Sequence, residues 1–228
     1  MSALASELPA TGRWDGDAEE QAEEEWDDAH PLRMWFPGGE SLAPWLGTPG
    51  CWIVPILEHA NISKEDVLCD VGCGDGRIPI IAHQHFQANA VGIDLDRELI
   101  DMAVAHANRR LGTTNIEAVA ADEPERYEVA CNGGLSFICS DALTEDLSSV
   151  TLMVVYLLPE SFEILAPLFQ QHLSRPRSSS EPAQRLVIIG WKPPNMIEIK
   201  DVEFGQDETA TSSHVYYYDV TSLPGVHT

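Results

Sequence analysis

The chain has 228 residues, enough for one domain with appendages, and a net charge of −24 at neutral pH. It has no apolar run of about 18 residues, so we expect no transmembrane helix and no membrane partner. Such an acidic protein is badly suited to the phosphate backbone of a nucleic acid and better suited to a basic partner. The alternative is that the acidic residues only confer solubility.

Residues 1–34 are predicted to form an acidic, disordered tail, and residues 35–228 the folded domain. Within the tail, residues 1–30 contain ten Asp and Glu residues against Arg13 alone, so the segment repels itself and has little to bury. It resembles neither a signal sequence nor a basic mitochondrial transit peptide. Five cysteines without paired spacing indicate reduced thiols, so we expect a cytoplasmic protein, with the nucleus as the alternative.

Apolar periodicity predicts alternating helices and strands from residue 48 onward. Thr48 is the expected N-cap of the first helix with Pro49 at its first position, although Pro55 could kink or split this helix. Ser161 is the expected N-cap of the last helix, which contains Pro167. The predicted helices cover residues 48–60, 77–87, 97–111 and 161–173, and the predicted strands residues 67–71, 90–94, 116–120, 151–156, 186–189, 197–204 and 214–220, with a further strand end at 137–142 and a polar surface insertion at 121–134. Strands alternating with helices indicate a doubly wound α/β sheet.

A glycine-rich turn follows the strand at 67–71, with the sequence Val-Gly-Cys-Gly-Asp-Gly-Arg at residues 71–77. Gly72, Gly74 and Gly76 allow the backbone to turn sharply against a ligand. The next helix presents free N–H groups and the positive end of its dipole to that turn. A nucleotide-like cofactor is therefore expected there.

The residue types around the turn restrict which cofactor it suits. The dinucleotide fingerprint G-x-G-x-x-G would need glycine at position 77, which is Arg77. Asp70 and Asp75 place two carboxylates beside the turn, a poor environment for pyrophosphate. They favour a ligand that carries an ammonium group or ribose hydroxyls.

Two more acidic residues stand at predicted strand ends. Asp94 ends the strand at 90–94 and could accept hydrogen bonds from both hydroxyls of a ribose. Asp141 follows a later strand and could accept from an adenine amino group. Asp96 competes with Asp94 for the ribose, but it is the expected N-cap of the helix that starts at residue 97.

The pattern Asp-x-Gly-x-Gly-x-Gly-Arg at residues 70–77 resembles motif I of the class I S-adenosylmethionine-dependent methyltransferases. The resemblance implies a Rossmann-like, doubly wound seven-strand sheet with antiparallel C-terminal strands, S-adenosyl-L-methionine as cofactor and no metal. The cofactor-binding residues that it implies are Asp70, Gly72, Gly74, Asp75, Gly76, Arg77, Asp94, Asp141 and Thr48.

A narrower resemblance concerns residues 155–161, Val-Tyr-Leu-Leu-Pro-Glu-Ser. They lack the (Asp/Asn)-Pro-Pro-(Tyr/Phe) of methyltransferases that act on base or glutamine amides. They resemble the Phe-Leu-Leu or Phe-Leu-Ala-Pro segment of archaeal-type protein lysine methyltransferases and their mitochondrial relatives. Residues 44–49 are similar to the Pro-Tyr-Val-Pro-Thr-Pro with which that group caps the cofactor, and residues 75–77, 190–191 and 214–218 are also similar. The chain departs from the group at Tyr156, usually Phe, at Gly47, usually Pro, at residues 188–191 and in the insertion.

These features predict an enzyme that N-methylates lysine in a basic protein by in-line transfer, with Tyr156 orienting the amine. Tyr156 could instead pack under the sheet, and Trp45 and Trp191 are either core aromatics or walls of a lysine channel. Two other functions stay open: a methyltransferase of a small molecule or RNA, and a non-catalytic cofactor-binding adaptor that acts through its tail. No oligomeric state is predicted.

Overall fold

The structure is a computed structural model that describes residues 47–112, 116–118, 125–129, 134–176, 182–205 and 212–224. The predicted tail, Trp45 and most of the predicted insertion lie outside these residues. Within the described ranges, no helix has the length and apolar character needed to cross a bilayer.

The described residues form helices and strands in alternation along most of the chain. The helices are α1 (Gly50–His59), α2 (Arg77–Phe86), α3 (Arg97–Leu111) and α4 (Ser161–Ser174). The strands are β1 (Val67–Val71), β2 (Asn89–Asp94), β3 (Ile116–Ala118), β4 (Glu125–Val129), β5 (Leu135–Cys139), β6 (Leu152–Val155), β7 (Arg185–Ile189), β8 (Lys200–Phe204) and β9 (Ser213–Tyr218). A 3₁₀ turn follows at Val220–Ser222.

All described strands belong to one sheet in the order β3-β4-β5-β2-β1-β6-β7-β9-β8. The five central strands, β5, β2, β1, β6 and β7, run parallel, and β9 joins antiparallel between β7 and β8. Counted from β5, this is the seven-strand order 3-2-1-4-5-7-6, so the predicted Rossmann-like sheet with antiparallel C-terminal strands is confirmed. The order reverses beside β1, and the carboxyl ends of the parallel strands therefore open a crevice there.

Helices cover both faces of this sheet. One apolar cluster joins α1, α2 and α3 to one face, with Ile53, Ile80 and Ile100 almost fully buried. The other cluster joins α4 to the opposite face through Phe162 and Phe169. Because side chains alternate along a strand, the apolar residues of β1 are divided between the two clusters, as in other sheets buried on both faces.

The strand that pairs with β2 on the side away from β1 is formed by a different segment from the one predicted. The strand expected at 116–120 forms as β3, but it lies at the edge of the sheet and pairs antiparallel with β4. β4 lies within the segment expected to be a polar surface insertion and pairs antiparallel with β5. Leu135–Cys139 takes the central position beside β2, because its apolar residues suit a strand buried on both faces.

The two predicted N-caps are wrong. Pro49, not Thr48, precedes α1, and it forms no side-chain cap hydrogen bond. Glu160 precedes α4, and the buried hydroxyl of Ser161 has no hydrogen-bond partner among the described residues. Neither Pro55 nor Pro167 ends its helix, since both lie inside continuous helices that pack firmly against the sheet.

Candidate functional site

The glycine turn joins the carboxyl end of β1 to α2 at the crevice. Gly72, Gly74 and Gly76 all have left-handed backbones, with φ of 78°, 54° and 79°, which is why side chains are disfavoured at these positions. The N–H groups of Gly72 and Cys73 donate to the carbonyl oxygen of Ile93 at 2.8 and 3.0 Å. The turn is thereby tied to the end of the neighbouring strand β2.

Asp94 connects this turn to the start of α3. Its Oδ2 accepts a hydrogen bond from the N–H of Gly74 at 2.9 Å, and its Oδ1 accepts one from the N–H of Asp96 at 3.0 Å. Burial raises the pKa of Asp94, and these backbone hydrogen bonds oppose the rise. Asp96 caps α3, as predicted, by accepting from the N–H of Glu98 at 2.8 Å.

Asp70 is the most isolated acidic group of the site. It is 2% exposed, and among the described residues no donor forms a hydrogen bond with its carboxylate. Burial raises its pKa well above the usual value for Asp, and the negative charges of Asp94 and Asp75 raise it further. A buried carboxylate in such surroundings is suited to a cationic group.

Asp75 and Arg77 contact each other. Arg77 donates from Nε to Oδ1 of Asp75 at 3.0 Å and from Nη2 to Oδ2 at 2.7 Å, and both side chains are buried. Its Nη1 donates to the carbonyl oxygen of Thr48 at 2.8 Å. Nδ1 of His106, on α3, lies 3.1 Å from the carbonyl oxygen of Asp75. These two predicted cofactor-binding side chains are therefore engaged with the protein itself.

Asp141 follows β5 at the same edge of the sheet, next to Asp94. It is exposed, and its Oδ1 accepts from the N–H of Leu143 at 2.9 Å, which closes a short turn. Leu95 and Leu143, which are 46% and 43% exposed, follow the two acidic residues. Sequence reasoning missed these two leucines, although a leucine one or two residues after a strand-end Asp is a visible signal for a surface that could cover a flat base.

The segment after β6 forms the other side of the crevice. A Cβ built on Gly72 would lie 2.7 Å from Cδ2 of Leu157, so this leucine packs directly on the glycine turn. The half-buried Tyr156 ring lies 6.4 Å from the Trp191 ring, centroid to centroid, at an interplanar angle of 25°. A Cβ on Gly190 would lie only 3.3 Å from Cε2 of Tyr156. Trp191 is 39% exposed and is thus no core residue.

A further groove, of about 250 Å³, lies at the amino ends of the parallel strands and contains none of the predicted site residues. It is lined by Val67, Asn89 and Leu135 among others. No group of His, Cys, Asp or Glu within the described ranges is arranged to hold a metal ion.

The crevice has the chemistry that S-adenosylmethionine requires. The unpartnered Asp70 suits an ammonium or sulfonium charge. The three glycines of the turn add no side chain beside it. Asp94 ends β2, Asp141 follows the neighbouring parallel strand β5, and the exposed Leu95 and Leu143 come shortly after them in the chain. The structure brings together all ten predicted site residues at this edge, with Thr48 present through its carbonyl oxygen.

Comparisons with known proteins find similarity to methyltransferases. Residues 68–158 match the family described as a methyltransferase domain. The fold, the glycine turn and this match define the protein as a class I S-adenosylmethionine-dependent methyltransferase. Its cofactor is S-adenosyl-L-methionine.

Its relatives differ in the acceptor that their names state. A protein-lysine N-methyltransferase of Saccharolobus islandicus is 29% identical over 164 residues, which cover 69% of this chain and 86% of that protein. An RNA methyltransferase of Salinibacter ruber, solved with S-adenosyl-L-homocysteine, is 26% identical with a TM-score of 0.58, covering 77% of this chain and 94% of that one. A putative RNA methyltransferase of Pyrococcus horikoshii shares the fold at 12% identity, with a TM-score of 0.52 over 90% of this chain and 98% of that one.

Proposed function

We propose that this methyltransferase N-methylates lysine side chains in a basic protein. The lysine-specific relative from Saccharolobus islandicus supports this, because the similarity spans 86% of its length. The net charge of −24 supports it as well, since an acidic surface attracts a basic protein and repels a phosphate backbone.

The observation that carries the proposal is the aromatic surface beside the glycine turn. The partly exposed Trp191 lies next to Tyr156, and the faces of aromatic rings attract ammonium groups and pack against alkyl chains. Lys192, the residue after Trp191, already makes such a contact with another ring, since its Nζ lies 5.2 Å from the centroid of the Tyr216 ring. That ammonium is ion-paired with Glu198 at 2.5 Å, so little of its charge is left to repel a second lysine.

On the cofactor side, we assign different tasks to the predicted residues. Asp70 would receive a positive charge, and Asp94 and Asp141 would accept from the ribose and the adenine. Gly72, Gly74 and Gly76 would allow close approach of the backbone. Thr48, Asp75 and Arg77 would act through the shape of the turn.

Tyr156 would orient the amine without serving as its base. Burial raises the pKa of the phenol above its usual value, so the hydroxyl stays protonated at neutral pH. The bound cofactor supplies a methyl group on a sulfonium, already activated for displacement. The acceptor lysine must reach the site neutral, having lost its proton to solvent, and the protein contributes alignment and exclusion of water.

We further propose that the protein works in the cytoplasm, with the nucleus as the alternative. Cys69, Cys73 and Cys139 form no disulfide bond within the described ranges. Free thiols are usual in reducing compartments.

RNA is the second candidate acceptor. The observation that favours it is the similarity to the RNA methyltransferase of Salinibacter ruber, which covers 94% of that protein. Because the acidic composition opposes it, we place it after lysine.

Radiolabelled methyl transfer into cell lysate, with and without RNase, tests the proposal. We expect label in a discrete protein band that resists RNase and disappears with the Asp70→Ala variant. Trp191→Ala should raise the KM of the protein acceptor, whereas Trp191→Phe should largely restore it. Label that disappears with RNase would favour RNA as the acceptor. If the protein binds the cofactor, and the Asp70→Ala variant does not, but no methyl group is transferred, the adaptor function would be favoured.

A further inference from the structure

The buried guanidinium of Arg77 contacts two separate parts of the chain. It forms a bidentate ion pair with Asp75 in the glycine turn, and it donates to the carbonyl oxygen of Thr48 before α1. Asp75 in turn contacts His106 of α3 through its carbonyl oxygen. Arg77 is 5% exposed and Asp75 1%, so these interactions act where water screens them little.

Gly47 shows how closely the segment before α1 packs on this guanidinium. A Cβ at position 47 would lie 2.7 Å from Cζ and from Nη2 of Arg77. A side chain there would therefore have to displace the guanidinium. The backbone of residues 47–49 lies directly against the guanidinium, and Arg77 joins this segment to the glycine turn.

We infer that Arg77 is a positioning residue for the cofactor. It holds the glycine turn and residues 47–49 in their relative places without contacting the cofactor itself. The inference concerns only the cofactor side of the site and does not depend on which acceptor is methylated.

The charges of the site give this arrangement a second consequence. The Arg77 guanidinium offsets part of the negative charge of Asp75, and the remaining part still raises the pKa of Asp70. Without the guanidinium, the Asp75 carboxylate would be a buried, unpaired charge close to Asp70. The pKa of Asp70 would then rise further, and the protonated form would attract a cationic ligand less.

Arg77→Lys is the first test, because lysine keeps the charge but cannot bind Asp75 bidentately and reach the Thr48 carbonyl as well. We expect the dissociation constants of S-adenosylmethionine and S-adenosylhomocysteine, measured calorimetrically without acceptor, to rise about tenfold. The kcat at saturating cofactor should stay within about twofold, because the reacting groups are untouched.

Arg185→Lys is the matched control. Arg185 is also ion-paired with a buried aspartate, Asp66, and donates to the carbonyl oxygens of Ala60 and Asn61. It lies at the amino end of β7, away from the crevice at the carboxyl ends of the strands. Its replacement should lower the melting temperature and leave cofactor affinity unchanged. This separates a positioning role from a purely structural one.

Gly47→Ala keeps the test decisive if Arg77→Lys does not fold. Its methyl group must displace the guanidinium, so the same loss of affinity is expected, and in the double variant the two losses should not add. The inference is overturned if a folded Arg77→Lys or Gly47→Ala variant binds both cofactor forms normally. It is also overturned if either variant lowers kcat at saturating cofactor while affinity is retained. Failure to methylate lysine would affect neither outcome.

Discussion

At the scale of single residues, the buried carboxylate of Asp70 is expected to serve cofactor binding at a cost in folding stability. Its pKa is higher in the folded protein than in the unfolded chain, where it lies near 3.9. Between these two pKa values the folded state binds more protons than the unfolded state. The free energy of unfolding therefore falls as pH rises through that window and does not recover at higher pH.

Asp70→Asn should thus stabilise the protein without cofactor and weaken cofactor binding. Asparagine resembles the protonated carboxyl, so we expect a higher melting temperature than wild type at pH 7.5 and a smaller difference at pH 4.5. Affinity for S-adenosylmethionine should fall about 10- to 100-fold, as expected for a lost charge-assisted contact. Glu163→Gln removes an exposed charge from α4 and is the control. Normal affinity in the Asn variant would refute the assignment of Asp70.

The glycines offer a test of packing against backbone strain. Gly72 and Gly112 both have positive φ, 78° and 64°, so alanine costs about 1–2 kcal/mol at either position from backbone conformation alone. At Gly112 the added Cβ meets no atom of the described residues within 4 Å, whereas at Gly72 it meets Leu157. Gly72→Ala should therefore lower the melting temperature more than Gly112→Ala and, unlike it, reduce cofactor affinity. Adding Leu157→Ala should relieve part of the first effect, and equal effects of the two glycine substitutions would contradict this account.

Tyr156→Phe separates orientation from base catalysis. Because the acceptor lysine has a pKa near 10.4, log kcat/KM should rise with a slope near one between about pH 7 and 9. Loss of the hydroxyl should lower kcat/KM by about 2- to 10-fold and leave that slope unchanged. A flattened profile in the Phe variant would instead identify Tyr156 as the base.

At the scale of an element, the start of α3 assigns different tasks to two neighbouring acidic residues. Asp94 bridges two backbone N–H groups at the crevice, whereas Asp96 caps the helix by accepting from Glu98. Asp96→Ala should cost about 0.5–2 kcal/mol of stability and leave cofactor affinity within twofold. Asp94→Ala, with the same change of charge two residues away, should weaken binding strongly. Thermal unfolding and calorimetry on both variants measure this, and similar affinities would contradict it.

At the scale of the whole molecule, the negative charge is expected to act on the acceptor and not on the cofactor. Residues 1–30 hold ten of the 37 acidic residues, so deletion of residues 1–34 removes a large part of the charge. The truncated enzyme should bind S-adenosylmethionine normally, but with a higher KM for a basic protein and a weaker dependence of kcat/KM on salt. A full-length enzyme whose kcat/KM does not change with salt would show that the acidic residues serve solubility alone.

The sequence by itself determined the features that depend on local backbone requirements and on short periodicities. A left-handed backbone at three alternate positions demands glycine, so the turn at 72–76 was readable directly. Asp96 as a helix cap follows the same local logic. The apolar strands and the order of helices and strands identified the α/β sheet, because burial on both faces leaves a continuous apolar run.

Only the tertiary structure decided which distant residues meet. The partner of Arg77 is a carbonyl 29 residues earlier in the chain, and no local pattern indicates that contact. The position of Leu135–Cys139 beside β2, with β3 at the edge, depends on competition between segments for one buried place in the sheet. The stacking of Tyr156 on Trp191 likewise arises where β6 and β7 end side by side. Contacts of this kind depend on the packing of the whole domain. That packing brings acidic and aromatic residues from distant parts of the chain to one crevice.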